Sequence, residues 1–415
     1  MATVRPFMGI RPKKELASEV ASLPYDVMNR EEAKKMAEGN PKSFLHIVRS
    51  EIDMADSVDI HHDSVYDKAR ENLDKFIDEK TIVQDQEPRL YIYRQIMNGR
   101  VQTGIVGCTS IDEYESGIIK RHEFTRPEKE LDRINNFDRT DANTAPIFLS
   151  YRKNDGLSRI INDWIKFHMP EYNFTTEDGI THIVWVIDSE SAISQITETF
   201  KGVEYLYIAD GHHRTASSAK VGIKRREANP NYTGEEEFNF FLSVIFPDED
   251  LFIMDYNRVV KDLNGLQMEE FMEKAGEKFE IEPWGKGEPY RPMEKRTFGM
   301  FIGGSWYKLR AKQGTWDDSD PVERLDVSIL QKNLLEPVLG IGNPRTDQRI
   351  GFVGGIRGLR ELERRAETDM AIAFSMYPTT MDDLLSIADA GMVMPPKSTW
   401  FEPKLRSGLF VHRLK

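Results

Sequence analysis

Across residues 62–79, Val65, Ala69, Leu73, Phe76 and Ile77 recur every third or fourth position with charges between them, which predicts an amphipathic helix. Upstream, the proline-bounded loop Leu23-Pro24-Tyr25-Asp26-Val27 precedes a predicted helix over 30–38 and a predicted strand over 43–49. Downstream, two β-rich runs at 89–97 and 100–110 flank Asn98-Gly99, a pair that tolerates positive φ and predicts a tight hairpin. A short strand at 118–120 leads to a charged helix opening at Pro127, where proline suits a first turn. Strands follow at 145–151 and 180–187, with a helix at 191–200.

Beyond Asn229-Pro230 an acidic loop runs to Glu237. The apolar runs 240–246 and 251–255, separated by Pro247-Asp248-Glu249-Asp250, predict a hairpin. A helix is expected at 267–279, a loop at 284–292, strands at 297–301 and 305–309, helices at 325–338 and 381–390, and a closing strand at 408–411. The mixture predicts an α+β fold. Its expected parts are an N-terminal α/β segment (1–87), a core (88–228) and a C-terminal α+β domain (229–415).

The sharpest local change of character is Tyr205-Leu206-Tyr207-Ile208-Ala209-Asp210-Gly211-His212-His213-Arg214-Thr215. An apolar strand gives way to a polar turn, Gly211 permits the bend, and a helix is expected to start near Arg214. Free N–H groups at a helix start attract anions, and a guanidinium holds phosphate through two hydrogen bonds. His212, His213 and Thr215 add donors. The competing reading is a plain strand-to-helix turn capped by Asp210.

The bulk composition narrows the classes. A chain of 415 residues with 39% hydrophobic and 30% charged residues suits a multidomain globular protein, and no run approaches the length of a membrane helix. The start has Arg5 and Arg11 but no apolar stretch resembling a signal peptide, so a cytoplasmic location is expected. One cysteine, Cys108, excludes an internal disulfide and a cysteine-built zinc cage. The net charge of −13 repels nucleic acid over most of the surface, and none is expected as a partner.

Taken together, Leu23-Pro24-Tyr25-Asp26-Val27, Arg121-His122-Glu123-Phe124-Thr125, Asp210-Gly211-His212-His213-Arg214-Thr215 and Met394-Pro395-Pro396-Lys397-Ser398-Thr399-Trp400-Phe401 resemble a bacterial and archaeal ParB-like family. The core is similar to the ParB/sulfiredoxin superfamily, which includes kinases of free L-serine. The resemblance implies a ParB/sulfiredoxin-like nucleotide-binding core and a phosphotransferase that uses ATP or ADP with Mg2+. It places Glu123 in the role of the carboxylate that acts on the serine hydroxyl, and Gly211, His212, His213, Arg214 and Thr215 in the phosphate role. Two departures matter. His212 stands where sulfiredoxin has its cysteine, and the segment after Ala219 lacks the pattern of a helix-turn-helix DNA reader.

Phosphoryl transfer needs charge neutralisation, alignment and a proton acceptor. Glu123 suits the acceptor, Arg121 a phosphate contact, and Asp210 or His213 a supporting catalytic role. Substrate contacts are sought in Asp26, Arg49, Thr125, Asn143, Arg258 and Lys397. Asp26, and Arg49 with Glu51, either reach the same cleft or form structural ion pairs. No dedicated metal motif is visible, and His61-His62-Asp63 reads as solvated surface at a helix start. Two other functions stay open: a nucleotide-binding regulator without turnover, and a metal-dependent hydrolase using Asp210, His212, His213 and Glu123. A homodimer is also open.

Overall fold

The computed structural model describes residues 1–285 and 287–415. The chain forms two compact units, Met1–Leu251 with Pro403–Lys415, and Phe252–Glu402. This division does not follow boundaries at 87 and 228. The first two expected segments share one unit, and the strand Phe240–Pro247 joins them.

The first unit is built on an eight-stranded mixed sheet. Its spatial order is Ile119–Lys120, Leu206–Asp210, Ile147–Tyr151, Phe240–Pro247, Arg100–Ser110, Leu90–Met97, Thr181–Ile187 and Tyr172–Thr175. Two neighbouring pairs are parallel, Ile119–Lys120 with Leu206–Asp210 and Ile147–Tyr151 with Phe240–Pro247. The predicted hairpin is present: Met97 faces Arg100 across Asn98 (φ 52°) and Gly99 (φ 78°). Central strands such as Phe240–Pro247 are apolar on both faces because both are covered. Ile92, Ile105, Leu149, Ile208 and Ile245 meet in the main core.

A separate apolar cluster gathers Phe44, Leu45, Val48, Leu73, Phe76 and Val411. It explains one correction: the expected strand at 43–49 is the helix Leu45–Val48. A short apolar run carries no period that separates strand from helix, and burial on several sides decided the outcome. The amphipathic helix Asp63–Asp78 packs its apolar stripe into this cluster.

Helix Pro127–Thr140 lies against helix His212–Ala228, joined by a Ser217 Oγ donation to the Glu130 carbonyl at 3.0 Å and by Lys224 and Arg225 pairing with Asp138. The run Ala216-Ser217-Ser218-Ala219 is buried, and its small side chains permit that approach. At Gly222 an added Cβ would stand 2.5 Å from the Phe238 carbonyl.

The second unit carries a fully antiparallel six-stranded sheet. Its order is Phe279–Gly285, Ser305–Ala311, Thr297–Ile302, Ile372–Met376, Tyr256–Val260 and Ile350–Gly354. Helix Arg360–Thr368 packs Leu362 against Val259, Val353 and Ala373. The expected hairpin over 240–255 does not form. Phe240–Pro247 belongs to the first sheet, and the next strand begins at Tyr256 in the second.

The closing strand lies at His412–Arg413 instead of 408–411, because Gly408 holds a positive φ of 87° against Phe44. Lys286 of the predicted 284–292 loop lies outside the described residues, while Trp284 extends a strand. Helix Asp155–Phe167 has no predicted counterpart, although Leu157, Ile161 and Trp164 carry its buried stripe. Among the described residues no helix is long and apolar enough to cross a membrane.

Candidate functional site

Parallel pairing of Ile119–Lys120 with Leu206–Asp210 brings two distant segments together. Parallel neighbours send their onward connections from the same sheet end, so the loop 121–126 meets the turn 210–215. The Leu206–Asp210 strand shifts register between Ile208 and Asp210, an irregularity of the kind that re-aims side chains.

Gly211 follows with φ 98° and ψ 29° and precedes the 17-residue helix His212–Ala228, whose start no side chain caps. Two conditions require glycine there. The backbone is left-handed, and a Cβ would stand 3.1 Å from Arg214 Nε and 3.2 Å from its Cζ. The uncapped first turn presents N–H groups and the positive end of the helix dipole. Asp210 does not act as the cap. Its carboxylate pairs with Lys404 at 3.0 Å. Burial opposes its ionisation, but Lys404 and Arg214 outweigh that and hold it well below the usual carboxylate range.

Both histidines of the turn are neutral. Burial is the main cause of the His212 shift down to about 3, opposed by the Asp210 charge and reinforced by Arg121 and Arg214. His213 is lowered by burial, partly offset by Glu123, Asp26 and Glu130. Their protons are assigned by their partners. The His122 backbone N–H donates to His212 Nε2 at 3.5 Å, and the Arg126 N–H donates to His213 Nε2 at 3.0 Å. Each ring therefore carries its proton on Nδ1. His212 Nδ1 stands 3.9 Å from Glu123 Oε2, on a carboxylate side chain 42% exposed.

The remaining predicted residues divide into those at this turn and those elsewhere. Arg121 is exposed in the same loop. Asp26, exposed in the turn Tyr25–Val27, is close enough for its charge to act on His213. Arg214 is buried, with Nη1 donating to the Pro146 carbonyl, so its fork is turned partly inward and its charge lies behind the helix start. Thr215 Oγ1 donates to the Gly211 carbonyl at 3.0 Å and closes the first helical turn. Thr125 Oγ1 donates to Glu130, which also receives Lys220.

Asn143 is buried, donating to Ser218 Oγ at 3.2 Å and accepting the Leu242 N–H at 3.2 Å. Arg258 and Lys397 belong to the second unit, where Arg258 Nη2 donates to the Lys397 carbonyl at 3.1 Å. Arg49 lines a recess described below.

His122 carries no predicted role, yet its ring is buried edge-on against His212 with centroids 4.5 Å apart and its nitrogens unpaired. Its position inside the Arg121–Thr125 motif was the available signal. Lys404 had none, because only the fold returns the C-terminal segment to Asp210. Among the described residues no three His, Cys, Asp or Glu side chains are arranged as metal ligands, so Asp210, His212, His213 and Glu123 form no preassembled cage. His61 instead faces Asp132 at 3.1 Å.

Among solved structures, a free serine kinase in complex with AMP is 13% identical, with 74% of this chain and 91% of that chain covered and a TM-score of 0.36. SbnI with a C-terminal truncation from Staphylococcus aureus is 11% identical, covering 74% and 87%, with a TM-score of 0.38. A conserved hypothetical protein from Pyrococcus furiosus is 15% identical, covering 74% and 95%, with a TM-score of 0.35. No curated protein matches the chain. Residues 4–328, well over half of the chain, match the model of the family described as protein of unknown function DUF1015, and the chain belongs to that family.

Proposed function

We propose that the chain is a nucleotide-dependent phosphotransferase that transfers phosphate to the hydroxyl of free L-serine. The observation that carries this reading is the Glu123 carboxylate held 3.9 Å from neutral His212 at the uncapped start of a 17-residue helix. An anion-attracting turn and a proton acceptor stand together, which is the minimum that phosphoryl transfer asks of a protein. The motif resemblance to ParB/sulfiredoxin proteins supports the same assignment.

The serine hydroxyl oxygen attacks the terminal phosphorus of ATP or ADP. The new O–P bond forms as the bond to the leaving nucleotide oxygen breaks, and the hydroxyl proton passes to Glu123. Backbone N–H groups of the first turn and Arg121 hold phosphate oxygens, while Arg214 adds positive potential from behind. Asp26 would be the carboxylate this face offers Mg2+, a hard cation that would neutralise the charge of the nucleotide phosphates. Neutral His212, with Nδ1–H on the side of Glu123, adds no competing charge beside the acceptor.

The test is incubation of the chain with Mg-ATP or Mg-ADP and a pool of free amino acids, followed by mass spectrometry. Phosphoserine formed by the natural chain and lost in Glu123→Gln supports the assignment. Nucleotide binding with no phosphorylated amino acid overturns it in favour of a regulator.

A further inference from the structure

A second polar recess lies in the first unit, walled by the turns Tyr25–Val27 and Ser50–Asp53 and by helices Asp63–Asp78 and Pro127–Thr140. Its own volume is about 30 Å³, room for a small charged head group, with the mouth open beyond it. The wall is charged. Glu51, Asp132 and Arg133 are all buried there, and Arg49 is nearly so. Taking paired ions out of water carries a large desolvation cost, so apolar packing would serve a purely structural wall at least as well.

The two ion pairs differ in their remaining capacity. Asp132 is saturated: Arg133 Nε and Nη2 reach Oδ2 at 2.9 and 2.7 Å, while the Tyr66 hydroxyl and His61 Nδ1 reach Oδ1 at 3.0 and 3.1 Å. Arg133 is itself stacked 3.9 Å over the Tyr25 ring. Arg49 and Glu51 are not saturated. Arg49 Nε stands 2.8 Å from Glu51 Oε1, and Arg49 Nη1 donates to the Tyr25 carbonyl at 3.1 Å. Among the described residues, Arg49 Nη2 and Glu51 Oε2 make no hydrogen bond. Arg49 Nε, despite its ion pair, is buried without a hydrogen-bond partner, so the pair keeps both donor and acceptor capacity unfilled.

We infer that this recess binds the zwitterionic head of a free α-amino acid, with Arg49 Nη2 on its carboxylate and Glu51 Oε2 on its ammonium. A ligand with one charge would leave the other protein group uncompensated, whereas a zwitterion mirrors both. The inference deepens the phosphotransferase reading and rests on it for the fate of the bound amino acid. Tyr25 connects the two places: its ring covers Arg133, Asp26 follows it in the chain, and it lies within the field of Arg214. The recess thus borders the phosphate turn.

Calorimetric titration of the full chain, with and without AMP, separates the two ideas. The probes are the proteinogenic amino acids, L-serine first, together with ethanolamine and L-lactate, each of which lacks one charge. L-serine is expected to bind, and the single-charge analogues to bind roughly tenfold or more weakly. Arg49→Lys and the near-isosteric Glu51→Gln are each expected to weaken L-serine roughly 10- to 100-fold, with the natural secondary structure retained by circular dichroism. Equal binding by the natural chain and both variants, equal binding of ethanolamine, or no binding of any amino acid overturns the inference. Amino-acid binding without phosphate transfer leaves the recess assigned and overturns the phosphotransferase reading alone.

Discussion

In the first unit three buried histidines are bases kept neutral, whereas the second unit buries an acid that holds its proton up to about pH 7. His122 and His212 at the candidate site, and His182 under Arg406, are all pushed down by burial, His182 and His212 to about 3. Asp326 is pushed up to about 7 by burial, with the Asp383 charge adding to the shift. Asp383 stays ionised because Lys295 and Thr380 outweigh its own burial.

The comparison separates charge handling that serves a site from charge handling that serves packing. Around Gly211 the neutral histidines leave positive potential to the helix start, Arg121 and Arg214, in front of a half-exposed carboxylate. Around Asp326 both oxygens accept the Arg296 N–H at 2.9 and 3.0 Å. That acid ties one turn to a neighbouring segment.

The largest expected effect tests whether chemistry belongs to the first unit alone. Glu123→Gln should lower phosphoserine formation by about 10²- to 10⁴-fold while nucleotide binding persists. Asp326→Asn should leave turnover unchanged, and equal losses in the two variants would erase the distinction. A smaller effect contrasts two glycines by chemical denaturation. Gly211→Ala meets both a φ of 98° and the Arg214 guanidinium, and should cost near the upper end of about 1–3 kcal/mol. Gly304→Ala, at φ 73° with open space around its Cβ, should cost about 1 kcal/mol.

A further contrast is a pH dependence of opposite sign in the two units. Below about pH 6.5 an unfolded histidine binds a proton that native His182 and His212 refuse down to about pH 3, so acidification removes stability from the first unit. Native Asp326 keeps its proton up to about pH 7, while the unfolded chain releases it near pH 4. The second unit therefore loses stability as pH rises through that window. Thermal unfolding of Asp326→Asn between pH 5 and 8 should remove the second dependence and leave the first. A natural chain and variant with the same pH profile would contradict the Asp326 assignment.

Much of the local structure was legible in sequence. The Asn98-Gly99 hairpin, helix Asp63–Asp78 and the strand–turn–helix around Gly211 each follow from a period or a backbone preference within a few residues. Short apolar runs were not legible in that way. Residues 43–49 have no period long enough to choose between helix and strand, and 251–255 has strand composition but forms the isolated bridge Ile253 to Phe401 in place of a hairpin with 240–246.

At the candidate site, Gly211, His212, His213, Glu123 and Arg121 were visible as residue types in motifs, and Asp26 as a loop carboxylate. Their grouping was not, because it depends on the parallel pairing of Leu206–Asp210 with Ile119–Lys120. Arg214 was visible as a cation, but its inward hydrogen bond to Pro146 was not.

By itself the sequence determined the α+β mixture, the position of the glycine-led helix start and the chemical inventory around it, since spacing, propensity and φ tolerance act over a few residues. Only the tertiary structure decided that Lys404 neutralises Asp210, that Phe240–Pro247 completes the first sheet, and that Arg49 and Glu51 line a recess with Asp132 and Arg133. Those outcomes depend on burial and pairing between segments far apart in the chain, and desolvation and hydrogen-bond completion act through space, where local pattern carries no information.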